Sequence, residues 1–130
     1  MSTFSNMSDC EVCNSKNSFI VYGNSDERSL YCYCLDCGFG ITEKTYWNKK
    51  RRYTKMMGSV FQWDLKTINK YRGYAINEAW AFTSRKYRRS RWEAPLKKFK
   101  KMNMQVFEKK SKEMEETIKY WNNEYKLKRA

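Results

Sequence analysis

Cys10-Glu11-Val12-Cys13 and Cys34-Leu35-Asp36-Cys37 are two C-x2-C pairs separated by the twenty residues from Asn14 to Tyr33. This is the spacing of a four-thiolate zinc site. Two residues between ligands let both sulfurs of a pair point at one ion from a tight turn, and tetrahedral zinc takes four such thiolates at about 2.3 Å each. The residue after each pair is expected in the left-handed region. Asn14 and Gly38 stand there, two of the residue types that tolerate it best. Between the pairs, Phe19-Ile-Val-Tyr22 reads as a strand, residues 23–27 as a turn, and Ser29-Leu-Tyr-Cys-Tyr33 as the returning strand. The expectation is a β-hairpin clamped by one Zn2+ per chain. So small a sheet is marginal alone, and zinc binding of roughly 10–16 kcal/mol would supply most of its stability.

An iron–sulfur centre and unligated core cysteines are the alternatives, both less compatible with the paired spacing. Cys32 is a fifth thiol. Strand alternation puts it on the face of Cys34, where it either replaces that ligand or packs as a small hydrophobe. Packing is favoured, because Cys32 to Cys37 would make an unusual C-x4-C pair beside an intact C-x2-C.

The segment CEVCNSKNSFIVYGNSDERSLYCYCLDCGFG, residues 10–40, resembles the N-terminal zinc ribbon of bacterial and phage DNA primases and primase-helicases. The shared features are C-x-x-C, a polar Ser/Asn segment, an aromatic-rich hairpin and C-x-x-C-G. The resemblance implies a zinc ribbon that helps to engage a template, with polymerase chemistry in a following domain. Only four aspartates exist, Asp9, Asp26, Asp36 and Asp64, and none is arranged as a paired acidic metal site. Architecture for the head is therefore implied, and primase activity is not. With its small size and Lys/Asn/Tyr-rich composition, the chain also resembles an accessory protein of a tailed phage.

Outside the cysteines, charge is the strongest signal. The 130 residues carry a net charge of +13, with 32% charged and 17% aromatic residues, which argues against disorder and for an anionic partner. The charge is segregated. Residues 1–48 hold Lys16, Arg28 and Lys44 against Asp9, Glu11, Asp26, Glu27, Asp36 and Glu43, a net of −3. Residues 49–101 hold 17 basic groups against Asp64, Glu78 and Glu93, a net of +14, and residues 102–130 come to +2. The phosphate grip is therefore expected in the middle. No apolar run approaches the roughly 20 residues that span a bilayer, and MSTFSNMSDC lacks the basic and apolar regions of a secretory signal. A cytoplasmic location is expected, that of the host if the chain is phage-encoded, with no membrane partner. In that reducing compartment five thiols favour metal over disulfides.

The fold class expected is small α+β: a four-cysteine zinc ribbon (1–45), a basic linker (46–58) and a basic helical hairpin (59–130) with two long helices over about 59–93 and 96–127. Ser59-Val-Phe-Gln62 fits a capping box. Phe61, Leu65, Ile68, Ala75, Ala79 and Phe82 form an apolar seam interrupted only by Arg72. Gly73 weakens that helix and leaves room for a bend or a close contact, and Pro95 ends it. Beyond Pro95, Leu96, Phe99, Val106, Phe107, Met114, Ile118, Trp121 and Tyr125 sketch the second helix. The Trp and Tyr residues of both helices are expected in the core rather than in a ligand box. Two clusters are candidate nucleic-acid contacts: Lys49, Lys50, Arg51 and Arg52, and then Arg85, Lys86, Arg88, Arg89, Arg91 and Trp92. Arg pairs bidentately with phosphate, and an aromatic ring beside it can stack on an unpaired base.

The chain has no histidine, no Gly-rich phosphate loop and no G-x-S-x-G elbow, and a four-cysteine zinc site leaves no position for an activated water. The expectation is a non-enzymatic factor without a small-molecule substrate, binding DNA or RNA through its basic helices. The alternatives are a protein-docking factor, such as an RNA polymerase-binding transcription modulator, and a truncated primase-like replication module.

Overall fold

Phe19–Asn24 and Ser29–Cys34 pair antiparallel, with Phe19 opposite Cys34 and Ile20 opposite Tyr33, as the hairpin reading expects. The hairpin is not alone. The computed structural model describes residues 3–24, 29–47, 53–78 and 84–129. Its five strands, β1 (Thr3–Ser8), β2 (Phe19–Asn24), β3 (Ser29–Cys34), β4 (Phe39–Trp47) and β5 (Tyr53–Gln62), form one antiparallel sheet in chain order. The helices α1 (Leu65–Glu78), α2 (Arg85–Trp92) and α3 (Met104–Arg129) follow.

The period of two along each strand sorts the side chains onto two faces. One face carries Phe19, Cys34, Phe39, Ile41 and Val60, and α3 covers it with Val106 and Phe107. The other carries Ile20, Tyr22, Tyr31 and Tyr33, and α1 and α2 cover it with Tyr71, Ala75, Ile76 and Trp92. β3 is thus buried on both sides at Cys32, Tyr33 and Cys34. Trp63, just past β5, stacks on Tyr71 at 4.4 Å and lies 4.7 Å from Tyr33 between ring centroids. Trp63, Tyr71 and Trp92 thus make core, as expected of the helical region, whereas Tyr74, Tyr120 and Trp121 stand exposed against that expectation.

The expected hairpin of two long helices is not what forms. Ser59–Gln62 is the end of β5, not a helix start: Val60 pairs across from Ile41, and Phe61 stacks on Tyr31 from the opposite face. Strand alternation there wins over the helical seam because β4 supplies a backbone partner along the whole of β5. The helix starts at Leu65, where the Asp64 carboxylate accepts a hydrogen bond from Thr67 N at 2.8 Å, an N-cap that also holds its pKa below the usual carboxylate range. α1 ends at Glu78, and Ala79 and Phe82 of the seam lie outside the described residues. A separate short helix, α2, begins after Ser84, whose hydroxyl accepts from Tyr87 N. Gly73 is exposed on α1, and a Cβ there would meet nothing within 4 Å, so no close contact explains the glycine.

The stretch expected as a linker, 46–58, contains the end of β4 and most of β5. The second helix starts at Met104 rather than near 96, capped by Asn103 Oδ1, which accepts from Gln105 N and Val106 N. Residues 96–103 stay out of the helix because their backbone bonds go elsewhere: Lys100 N to Asp36 O and Asn103 N to Val12 O. α3 then runs along β5. Asn122 closes the edge strand by accepting from Met56 N at 2.8 Å and donating to Met56 O at 3.1 Å.

Candidate metal centre

Each cysteine pair sits on a turn at one end of the sheet, and the two turns close in the same way. Asn14 N donates to Cys10 O at 2.8 Å, and Gly38 N donates to Cys34 O at 3.1 Å. Both closing residues take positive φ, 61° at Asn14 and 80° at Gly38, as their residue types suggested. At Gly38 a Cβ would come within 2.7 Å of Trp63 O, so the backbone of the following segment lies directly on the turn.

Cys10, Cys13, Cys34 and Cys37 are all buried, and their Sγ atoms lie within 4.8 Å of one another. Cys10 Sγ is 3.8 Å from Cys37 Sγ, and Cys13 Sγ is 3.7 Å from Cys34 Sγ. A tetrahedron with arms of about 2.3 Å has edges of about 3.8 Å, so the donor set fits a tetrahedral metal ion. It does not fit disulfides, which need sulfurs about 2.05 Å apart. The four cysteines are positioned to bind a metal ion.

Without a cation, four adjacent thiols cannot all ionise. Cys13 and Cys34 are held below the ordinary thiol range, each first through a hydrogen bond with Cys10, while Cys10 and Cys37 are pushed above it by their cysteine neighbours. A divalent cation removes that conflict. Further polar groups surround the sulfurs: Asp36 N at 3.3 Å and Cys37 N at 3.5 Å donate to Cys34 Sγ, the Ser18 hydroxyl lies 3.4 Å from the same sulfur, and the Ser15 hydroxyl accepts from the Cys13 thiol at 3.2 Å. Ser15 and Ser18 are fully buried for this purpose. Nothing in the sequence distinguishes them from loop serines. Cys32 lies outside the cluster, buried in the sheet, with its thiol pushed up to about 12 by burial and then by Glu43. It packs, and does not replace Cys34.

The second turn is tied to the helical layer. Arg72, which interrupts the α1 seam, is buried and donates to Leu35 O at 2.8 Å, Asp36 Oδ1 at 3.2 Å and Arg91 O at 2.8 Å. Arg91 donates to Asp36 Oδ2 at 3.1 Å. Burial pulls the Arg72 guanidinium below its ordinary pKa, and Asp36 opposes that. The first turn is tied to α3 by Glu11 and Lys110, 2.6 Å apart.

This arrangement corrects the expected phosphate grip on α2. Arg88 is buried, with Nε donating to Ile76 O at 2.9 Å, and Trp92 is buried among Ile20, Tyr33, Leu35 and Ala75. α2 packs against α1, so its i, i+4 pair Arg88 and Trp92 points inward, and Arg91 is held by Asp36. Trp92 therefore has no ring face left for a base. Arg85, Lys86 and Arg89 remain exposed, Arg89 beside Glu93. Lys49, Lys50, Arg51 and Arg52 lie outside the described residues.

The fold and the centre define a small α+β protein with a buried four-cysteine metal-binding site. No protein-family model, no curated protein and no solved structure matches the chain. Among the described residues, no helix is long and apolar enough to cross a membrane.

Proposed function

We propose that the chain is a non-enzymatic zinc protein that binds the phosphate backbone of DNA or RNA as an accessory factor of a nucleic-acid-processing machine. The observation that carries this reading is the exposed cation surface of residues 84–101. Arg85, Lys86, Arg89, Lys97, Lys98, Lys100 and Lys101 are all exposed there, and Glu93 is the only acid in the stretch. Zinc is the metal that four soft thiolates in a tetrahedron favour, and four thiolates complete its coordination, which supports a structural rather than a catalytic centre. The resemblance of residues 10–40 to primase zinc ribbons supports the same setting and a phage source. Generic DNA or RNA should bind at about 50 mM salt, and the affinity should fall as salt rises with a log–log slope of about 0.9 per neutralised duplex phosphate, or about 0.7 for single strands. No binding at low salt overturns the reading.

Protein docking, for example on RNA polymerase, is the second reading. It is favoured by Tyr120 and Trp121, which stand exposed and edge-to-face at 5.2 Å on α3, beside Glu113 and Glu116. In that case a tagged chain retains one dominant protein complex from lysate after nuclease treatment, and Trp121→Ala releases it.

A further inference from the structure

Residues 96–103 have no regular secondary structure, yet they are fastened along their length. Asn69 of α1 holds the start, accepting from Leu96 N at 2.7 Å and donating to Leu96 O at 3.0 Å. Lys100 N donates to Asp36 O at 3.0 Å, in the turn between Cys34 and Cys37. Asn103 N donates to Val12 O at 2.7 Å, in the turn between Cys10 and Cys13. Between these two anchors Met102 is buried in the same cluster as the four cysteines. The segment is a strap laid across both cysteine turns.

The side chains on the outside of this strap are Lys97, Lys98, Lys100 and Lys101, all exposed. Among the described residues none of the four has a carboxylate partner. The nearby acids are already committed: Asp36 is taken by Arg72 and Arg91, and Glu11 by Lys110. Four unneutralised ammonium groups within five residues, on a backbone pinned in place, form a charge array prepared for a polyanion with little ordering cost.

The geometry points to residues 97–101 as a contact for the phosphate backbone of nucleic acid, in a segment whose shape is set by the cysteine turns it crosses, so that nucleic-acid binding and metal retention are linked. This rests on the nucleic-acid reading above and places its main contact on the strap rather than on α2. Linkage is reciprocal: if the metal-held form binds the strand better, the bound strand must slow metal loss or tighten metal binding.

The test uses the full zinc-loaded chain and a fluorescent oligothymidine, with affinity measured across a salt series. A variant with Lys97, Lys98, Lys100 and Lys101 all changed to Gln is compared with one in which Arg85, Lys86 and Arg89 are changed to Gln. Zinc content and circular dichroism establish that both are folded. The strap variant should bind at least about tenfold more weakly at low salt and lose about 2–3 units of salt slope, at about 0.7 per phosphate. The α2 variant should lose less. Zinc transfer to a chromogenic chelator should slow severalfold when oligothymidine is bound to the wild type, and not in the strap variant. Wild-type affinity and slope in the strap variant overturn the strap while leaving the nucleic-acid reading intact. Zinc transfer unaffected by bound oligothymidine overturns the linkage. Absence of wild-type binding to oligothymidine and equally to a generic DNA duplex and a generic RNA at low salt overturns both readings together.

Discussion

Asp36 sits between two cysteine ligands in sequence and between two guanidiniums in space. Its carboxylate accepts from Arg72 and Arg91, and its backbone oxygen accepts from Lys100. The Arg72–Asp36 pair is largely out of water, with 8% and 16% of the two side chains exposed. Asp36→Ala leaves Arg72 buried and uncompensated, and breaking such a pair from one side costs about 3–5 kcal/mol. Denaturant unfolding of the zinc-loaded variant checks this, and a loss below about 1 kcal/mol would show the pair to be dispensable. Gly38→Ala is a second test at this scale. A residue with a Cβ at positive φ costs about 1–2 kcal/mol before contacts are counted, and this Cβ also meets Trp63 O at 2.7 Å. The same measurement should give a loss of at least about 2 kcal/mol. The cysteines and the Asn14 and Gly38 turns were legible in the sequence because metal-ligand spacing is local chemistry. Arg72 was not: it reads as a flaw in an apolar seam, and its partners lie at positions 35, 36 and 91, which only the folded chain brings together.

At the level of elements, the informative contact is that of α3 on β5. Gly58 of β5 lies against α3: a Cβ there would stand 2.8 Å from Met114 Sδ and 2.8 Å from Thr42 O. The methionine end can shift, but the Thr42 carbonyl belongs to the paired strand β4 and cannot. Gly58→Ala should therefore cost about 1–3 kcal/mol, in the range of overpacked cores, and loosen α3 from the sheet. Asn122→Ala removes the only side chain that satisfies both backbone groups of Met56. It should cost about 1–3 kcal/mol and raise hydrogen exchange at the Met56 amide while leaving β3 amides protected. An unchanged Met56 exchange rate would contradict the edge-closing role of Asn122. These contacts also explain why the elements after Gly40 were misread. Ser59-Val-Phe-Gln62 has the residues of a capping box, and only pairing with β4 makes these four residues strand. The β2–β3 hairpin needed no such information, since its alternation and turn lie within one short stretch.

Across the whole molecule, the four-cysteine cluster is where separate layers meet. The Cys34–Cys37 turn is bonded to α1 and α2 through Arg72 and Arg91, and the Cys10–Cys13 turn to α3 through Lys110 and Asn103. Leu35 packs into the core under α1 and α2, whereas Val12 packs into the core under α3. The centre therefore joins both helical layers to the sheet, beyond clamping the one hairpin legible in the sequence. If that is its role, metal removal cannot melt residues 10–40 alone. Chelation, or Cys13→Ser, should abolish stoichiometric zinc and remove most of the helical circular dichroism at 222 nm in one transition, because metal binding and folding share the same free energy. Cys32→Ser should retain one zinc per chain and lose only the modest stability of a buried small side chain made polar, about 1–3 kcal/mol. Full helical signal in the metal-free protein would show that the layers stand without the centre, and loss of zinc in Cys32→Ser would make Cys32 the ligand in place of Cys34.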